Sequence, residues 1–87
     1  MVISMSTYDK LLDSVLSGKQ DSNIKFKDLQ SLVKSLGFNE RIKGDHFIYK
    51  HDDYIERIVI QPNGNKAKPY QVKQVRQLIM KYNLGGK

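Results

Sequence analysis

No cysteine occurs anywhere in these 87 residues. For so short a chain, that absence removes disulfide staples, thiolate zinc sites and cysteine nucleophiles together. A domain of this size buries only about 60–65% of its unfolded surface, so a single small core must hold it. The reading is therefore one domain over residues 1–87. Composition supplies the core, with 39% hydrophobic and 28% charged residues. That balance suits a globular domain rather than a disordered tail. No apolar run reaches the ~18–20 residues needed to span a bilayer. The opening Met1-Val2-Ile3-Ser4-Met5-Ser6 lacks the basic start and the length of a signal peptide. The expected location is cytoplasmic, and no membrane partner is expected.

Charge is placed unevenly. Residues 1–40 carry five lysines and five acids, which cancel. Residues 41–87 carry ten basic and four acidic residues, and 10 − 4 accounts for the whole net charge of +6. After Glu56 no acid follows, while Arg57, Lys66, Lys68, Lys73, Arg76, Lys81 and Lys87 do. A one-signed field over the last third favours an anionic partner, with nucleic acid first. An acidic protein partner fits the same field, and so does a plain solvated face.

Hydrophobic spacing divides the chain into six elements. Residues 1–6 read as a frayed start. Tyr8, Leu11, Leu12, Val15 and Leu16 fall on one face of a helix over 7–18, capped by Ser6 or Thr7 and ended by Gly18. Gly18 to Asn23 is polar and reads as a loop. Phe26, Leu29, Leu32, Val33 and Leu36 form the stripe of a second helix, and Gly37 stands where a left-handed cap belongs. Three short strands are expected at Phe38–Lys43, His46–Lys50 and Arg57–Gln61. Gly44-Asp45 is a tight turn, and His51 to Tyr54 is a second turn. Such short connections favour an antiparallel meander. Pro62-Asn63-Gly64-Asn65 ends the third strand, and Lys66-Ala67-Lys68 is a loop. Pro69 opens a last helix, with Val72, Val75, Leu78, Ile79 and Tyr82 inward. Gln71, Lys73, Gln74, Gln77 and Lys81 face away from that stripe. Leu84 to Lys87 is a stop and a tail. Helices must cover one sheet face, which gives a two-layer α+β domain.

Few residues can carry chemistry. There is no phosphate-binding glycine motif and no serine–histidine–acid arrangement. Asp52 and Asp53 are adjacent in a turn and do not converge on one substrate. The histidines are His46 and His51. A histidine's ordinary pKa near ~6.5 suits acid–base work at neutral pH. His46 follows a tight turn on a rigid strand, which suits a catalytic base, although spacing alone favours an ordinary surface or sheet-edge histidine. His51 reads as a surface turn histidine. Five apart across a strand and turn, the two point to different faces, so no metal or other cofactor is expected. Phe47, Tyr49, Tyr54 and Tyr70 lie among lysines, a mixture that stacks bases or simply rims a core.

The run Leu36-Gly37-Phe38, followed by Arg41-Ile42-Lys43-Gly44-Asp45-His46-Phe47-Ile48-Tyr49-Lys50-His51, resembles the HicA toxins of bacterial type II toxin–antitoxin pairs. Gly44-Asp45-His46 fills the place of the family's glycine-serine-histidine, and the last helix is similar too. The resemblance covers roughly residues 24–84, with the helix at 7–18 additional. Asp45 departs from the usual serine, and Asp52 and Pro62-Asn63-Gly64 depart from later family positions.

The resemblance implies a double-stranded-RNA-binding-domain-like fold, α-β-β-β-α, preceded here by one more helix. It also implies metal-independent cleavage of mRNA, with His46 as the catalytic histidine, and a HicB-like antitoxin partner. RNA carries its own nucleophile in the 2′-hydroxyl, so such an enzyme needs a base and a phosphate clamp. Lys43, Lys50, Arg57, Lys66 and Lys68 are the candidate clamp, with Lys73 and Arg76 on flanking phosphates. Alternatives are a non-catalytic RNA- or DNA-binding module and a protein-interaction subunit. The additional helix could pack on the domain, on a second copy as a homodimer, or on the antitoxin.

Overall fold

The computed structural model describes residues 7–84; the frayed start expected at 1–6 and the end of the tail lie outside them. Helix α1 spans Thr7–Ser17, and a 3-10 turn at Asp21–Asn23 leads to helix α2 at Phe26–Ser35. Strands β1 (Asn39–Lys43), β2 (His46–Lys50) and β3 (Arg57–Ile60) follow. Strands β4 (Pro62–Asn63) and β5 (Lys66–Ala67) form a small second sheet, and helix α3 spans Pro69–Tyr82. The large sheet is an antiparallel meander in the order β1-β2-β3. This is the α+β architecture expected, α-β-β-β-α with a helix in front.

Alternation sorts the strands cleanly. On β2, Phe47 and Tyr49 turn inward, and on β3 Ile58 and Ile60 do the same. The opposite face therefore carries His46, Ile48 and Lys50, with Arg57 and Val59 beside them. The core fills the space between the inward face and the helices, from Leu29, Leu32 and Val33 of α2 to Val72, Val75 and Ile79 of α3. Phe26 at the start of α2 meets Phe47 edge to face, with centroids 5.1 Å apart. Tyr49 is fully buried, and its hydroxyl donates to Glu40 at 2.6 Å. Burial first, and then the Glu40 carboxylate, push that phenol's pKa upward.

Three local expectations need correction. The stretch after β3 is not a turn and a loop but the hairpin β4–β5, with Pro62 opposite Ala67 and Asn63 opposite Lys66. It is tied to the segment before α2, because Ala67 N–H donates to the Ile24 carbonyl and Phe26 N–H to that of Asn65. Gln71 does not face away from the core, since it is 1% exposed. His51 is not a surface residue either. Its ring packs edge to face on Phe38 and lies 4.4 Å from the ring of Tyr54, which stacks in turn on Tyr82. Gly37 is needed for two reasons: its φ is +98°, and a Cβ there would sit 2.9 Å from His51 Nε2.

Helix α1 packs against α2 and α3, burying Leu12 and Val15. Its stripe is wider than what it covers, because Tyr8 and Leu16 each stay 37% exposed. One side chain clamps this helix. Arg76 of α3 donates to both oxygens of Asp21, at 2.9 and 3.2 Å, and to the carbonyl of Val15 at 3.1 Å. Such a two-pronged pair matches the planar guanidinium.

Candidate active site and nucleic-acid interface

The open face of the large sheet gathers much of the charge that the sequence scatters. Its β1 row is Asn39, Arg41 and Lys43, by the same alternation. Register sets Arg41 opposite Ile48, Lys43 opposite His46, and Lys50 opposite Arg57. A shallow concavity of about 370 Å³ runs over this surface between Arg41, Lys43, Lys50 and Arg57, with Ile48 in its lining. Glu40 also lines this concavity, but its carboxylate is engaged by the Tyr49 hydroxyl and by Lys34. A shallow surface ringed by cations can hold the phosphates of a nucleic-acid strand.

His46 stands at one end of that face, with its side chain 51% exposed. Its position follows from the two-residue hairpin loop Gly44-Asp45, in which Gly44 takes the positive φ of 63°. The imidazole has a polar neighbour on each side. The Asp45 carboxylate lies 3.2 Å from Nδ1, and the Gln61 side-chain nitrogen lies 3.0 Å from Nε2. Gln61 follows Ile60, the partner of Phe47, and so faces His46 from just past the end of β3. Its backbone is fixed by the buried Gln71. In the orientation that pairs both its atoms, the Gln71 amide donates to the Gln61 carbonyl at 3.3 Å and accepts from Gln61 N–H at 3.0 Å.

Of the residues expected to bind RNA, Lys43, Lys50 and Arg57 share this face with His46. Lys66 and Lys68 belong to the hairpin end and the start of α3. Lys66 donates to Asn23 Oδ1 at 3.3 Å, and its backbone bridges to Lys25, so a second basic patch forms there. Lys73 lies exposed on α3. Arg76 stands apart from all of these: it is engaged with Asp21 and Val15 and 16% exposed. Of the four aromatic candidates only Tyr70 faces outward, at 62% exposed. Tyr49 is core, and Phe47 and Tyr54 pack against it.

Sequence reasoning passed over Arg41, Gln61 and Gln71. Arg41 was legible as part of an alternating basic strand. The two glutamines were not, because their roles come from contacts with each other and with His46. Among the described residues, no group of three or more histidine or acidic side chains is arranged to hold a metal ion. No helix among them is long and apolar enough to cross a membrane.

Fold and surface together define a double-stranded-RNA-binding-domain-like unit, α-β-β-β-α, with an additional N-terminal helix. The family model described as the HicA toxin of bacterial toxin–antitoxin systems matches residues 26–81, from the first residue of α2 almost to the end of α3. The chain belongs to that toxin family. No curated protein and no solved structure matches it. Helix α1, the 3-10 turn and the clamp residue Asp21 lie before the matched region.

Proposed function

We propose that this toxin is a metal-independent endoribonuclease that cleaves mRNA with His46 as its base. The observation that carries this reading is the imidazole at the end of an open, cation-ringed sheet face. In the reaction, neutral His46 takes the proton of a ribose 2′-hydroxyl at Nε2. The 2′-oxygen attacks the adjacent phosphorus as the bond from phosphorus to the 5′-oxygen breaks. That oxygen leaves with a proton from solvent, giving a 2′,3′-cyclic phosphate and a 5′-hydroxyl end. Lys43, Arg41, Lys50 and Arg57 hold the phosphates and offset the charge that builds on the phosphorane. Lys66, Lys68 and Lys73 extend the basic track for flanking RNA. The partner is a HicB-like antitoxin that covers this face, and the setting is the cytoplasm.

The test is expression from a tightly controlled promoter of wild type and His46→Ala, following growth and mRNA integrity at equal protein level. Wild type is expected to stop growth and degrade mRNA, and the variant to do neither. If both are harmless and mRNA stays intact, the catalytic assignment fails and the chain is a binding module on the same fold.

A further inference from the structure

Gln71 is a polar residue inside a small apolar core. Burying an amide is unfavourable unless its hydrogen bonds are made. In one amide orientation Gln71 Oε1 accepts from Lys68 N–H at 3.4 Å and caps α3; in the swapped one, which gives the shorter contacts, both amide atoms meet the backbone of Gln61. What the glutamine adds is a fixed backbone at Gln61, the residue whose side chain reaches His46 Nε2. On the other side of the ring, the Asp45 carboxylate lies 3.2 Å from Nδ1.

We infer that Asp45, Gln61 and Gln71 form a relay that holds His46 as the Nδ1–H tautomer, with its Nε2 lone pair presented to the open face. A carboxylate beside Nδ1 favours a hydrogen there and opposes a lone pair. An amide N–H pointing at Nε2 requires a lone pair there. Both neighbours therefore select the same tautomer, the one that leaves Nε2 free to accept a proton. The relay deepens the nuclease reading and, for its catalytic consequence, rests on it. When RNA binds, the 2′-hydroxyl takes the Gln61 amide's place at Nε2. The displaced amide, still anchored through Gln71, donates to a non-bridging oxygen of the same phosphate. Gln61 is thus a catalytic residue, and Asp45 and Gln71 are positioning residues.

His51 is a built-in control. Its Nδ1 accepts the backbone N–H of Asp53 at 3.0 Å, so its hydrogen belongs on Nε2. The two histidines of one chain should show opposite tautomers. Long-range proton–nitrogen NMR of the full chain, at about pH 8.5 where imidazoles are neutral, reads both at once. The expected result is Nδ1–H for His46 and Nε2–H for His51. Asp45→Ala and Gln61→Ala should each move His46 toward the Nε2–H form and leave His51 unchanged. Gln71→Leu should do the same to His46, and Gln71→Glu, which keeps an acceptor for Gln61 N–H, should recover part of the wild-type pattern. If Gln71→Leu fails to fold, the two surface variants carry the test alone. In cleavage assays, Gln61→Ala should lower kcat about 100-fold at little changed KM, the loss expected for one preorganised donor. Asp45→Ala should lower kcat about tenfold, because water can replace an exposed carboxylate. A wild-type His46 in the Nε2–H form, or one indifferent to both surface variants, overturns the relay. The expected tautomers in a wild type that leaves RNA intact support the relay and overturn the nuclease reading instead.

Discussion

His46 and His51 begin and follow the same five-residue strand, yet they belong to different kinds of environment. His46 has solvent over half its surface and polar neighbours at both nitrogens. His51 is 15% exposed at its side chain and packs between Phe38 and Tyr54, against the backbone of Gly37. One ring is held where a substrate can reach it. The other closes the gap between the end of α2 and the loop after β2. Residue type is the same, so surroundings alone separate the chemical role proposed for one from the packing of the other.

Exchanging their fates by mutation gives the largest expected effect. With purified protein and a defined RNA, His46→Ala should reduce cleavage about 100-fold or more, the usual worth of a general base. Its thermal midpoint should stay close to wild type, because the ring is exposed. His51→Ala should do the reverse. It removes two ring contacts and a hydrogen bond, and should cost about 2 kcal/mol in a denaturant titration. Cleavage per folded molecule should persist. A His51→Ala protein that is stable but inactive would reverse the two assignments.

The same division separates two arginines. Arg57 lies on the open face opposite Lys50 and lines the concavity beside it. Arg76 is clamped to Asp21 and Val15. Arg76→Ala should cost about 2 kcal/mol, between the small worth of exposed ion pairs and the larger cost of breaking buried ones. It should also loosen α1, seen as faster amide exchange at Val15 and Leu16. Arg57→Gln should leave stability within about 0.5 kcal/mol. It should reduce the salt dependence of RNA binding by about one phosphate contact. If Arg76 variants show that loss of salt dependence while remaining fully folded, Arg76 belongs with the binding residues after all.

Those contrasts mark how far the sequence could be read. The stripe of α2 with Gly37 behind it, the Gly44-Asp45 turn and the β-branched run of β3 are local signals, and each element formed where its pattern stood. The placement of His46 was legible too, because strand alternation and a tight turn are local. What lay hidden depends on partners far along the chain. Arg76 looks like one more cation until Asp21, 55 residues earlier, is brought beside it. The two-residue strands β4 and β5 are too short to show periodicity, and they are fixed by bonds to Ile24 and Phe26. Gln71 occupies a core position that apolar patterning assigns to the surface, because its partner is a backbone. His51 turned inward because Phe38 and Tyr54 converge on it from either side of β1 and β2.

The aromatic end carries one acid whose titration tests how far that packing extends. Glu56 accepts from Lys81 Nζ and from the Tyr82 hydroxyl, and Tyr82 is the ring stacked on Tyr54 at 4.0 Å. The Lys81 ammonium first, and then the Tyr82 hydroxyl, hold the Glu56 carboxyl down from an ordinary 4.5 to about 2. The same contacts raise the pKa values of Lys81 and Tyr82. A carboxyl depressed in the folded state stabilises the fold above its unfolded pKa. That contribution is lost as pH falls through the folded value. Folding stability should therefore decline between about pH 4.5 and 2 in wild type. Glu56→Gln should be less stable at neutral pH and should flatten that part of the decline. The effect should be the smallest of those described, because the group stands near solvent and its pair is screened by salt. Circular dichroism melts across this pH range, at low and high salt, measure it. An unchanged acid limb in Glu56→Gln would mean that Tyr82 is held by its stack on Tyr54 alone, with the ion pair adding nothing to the packed end.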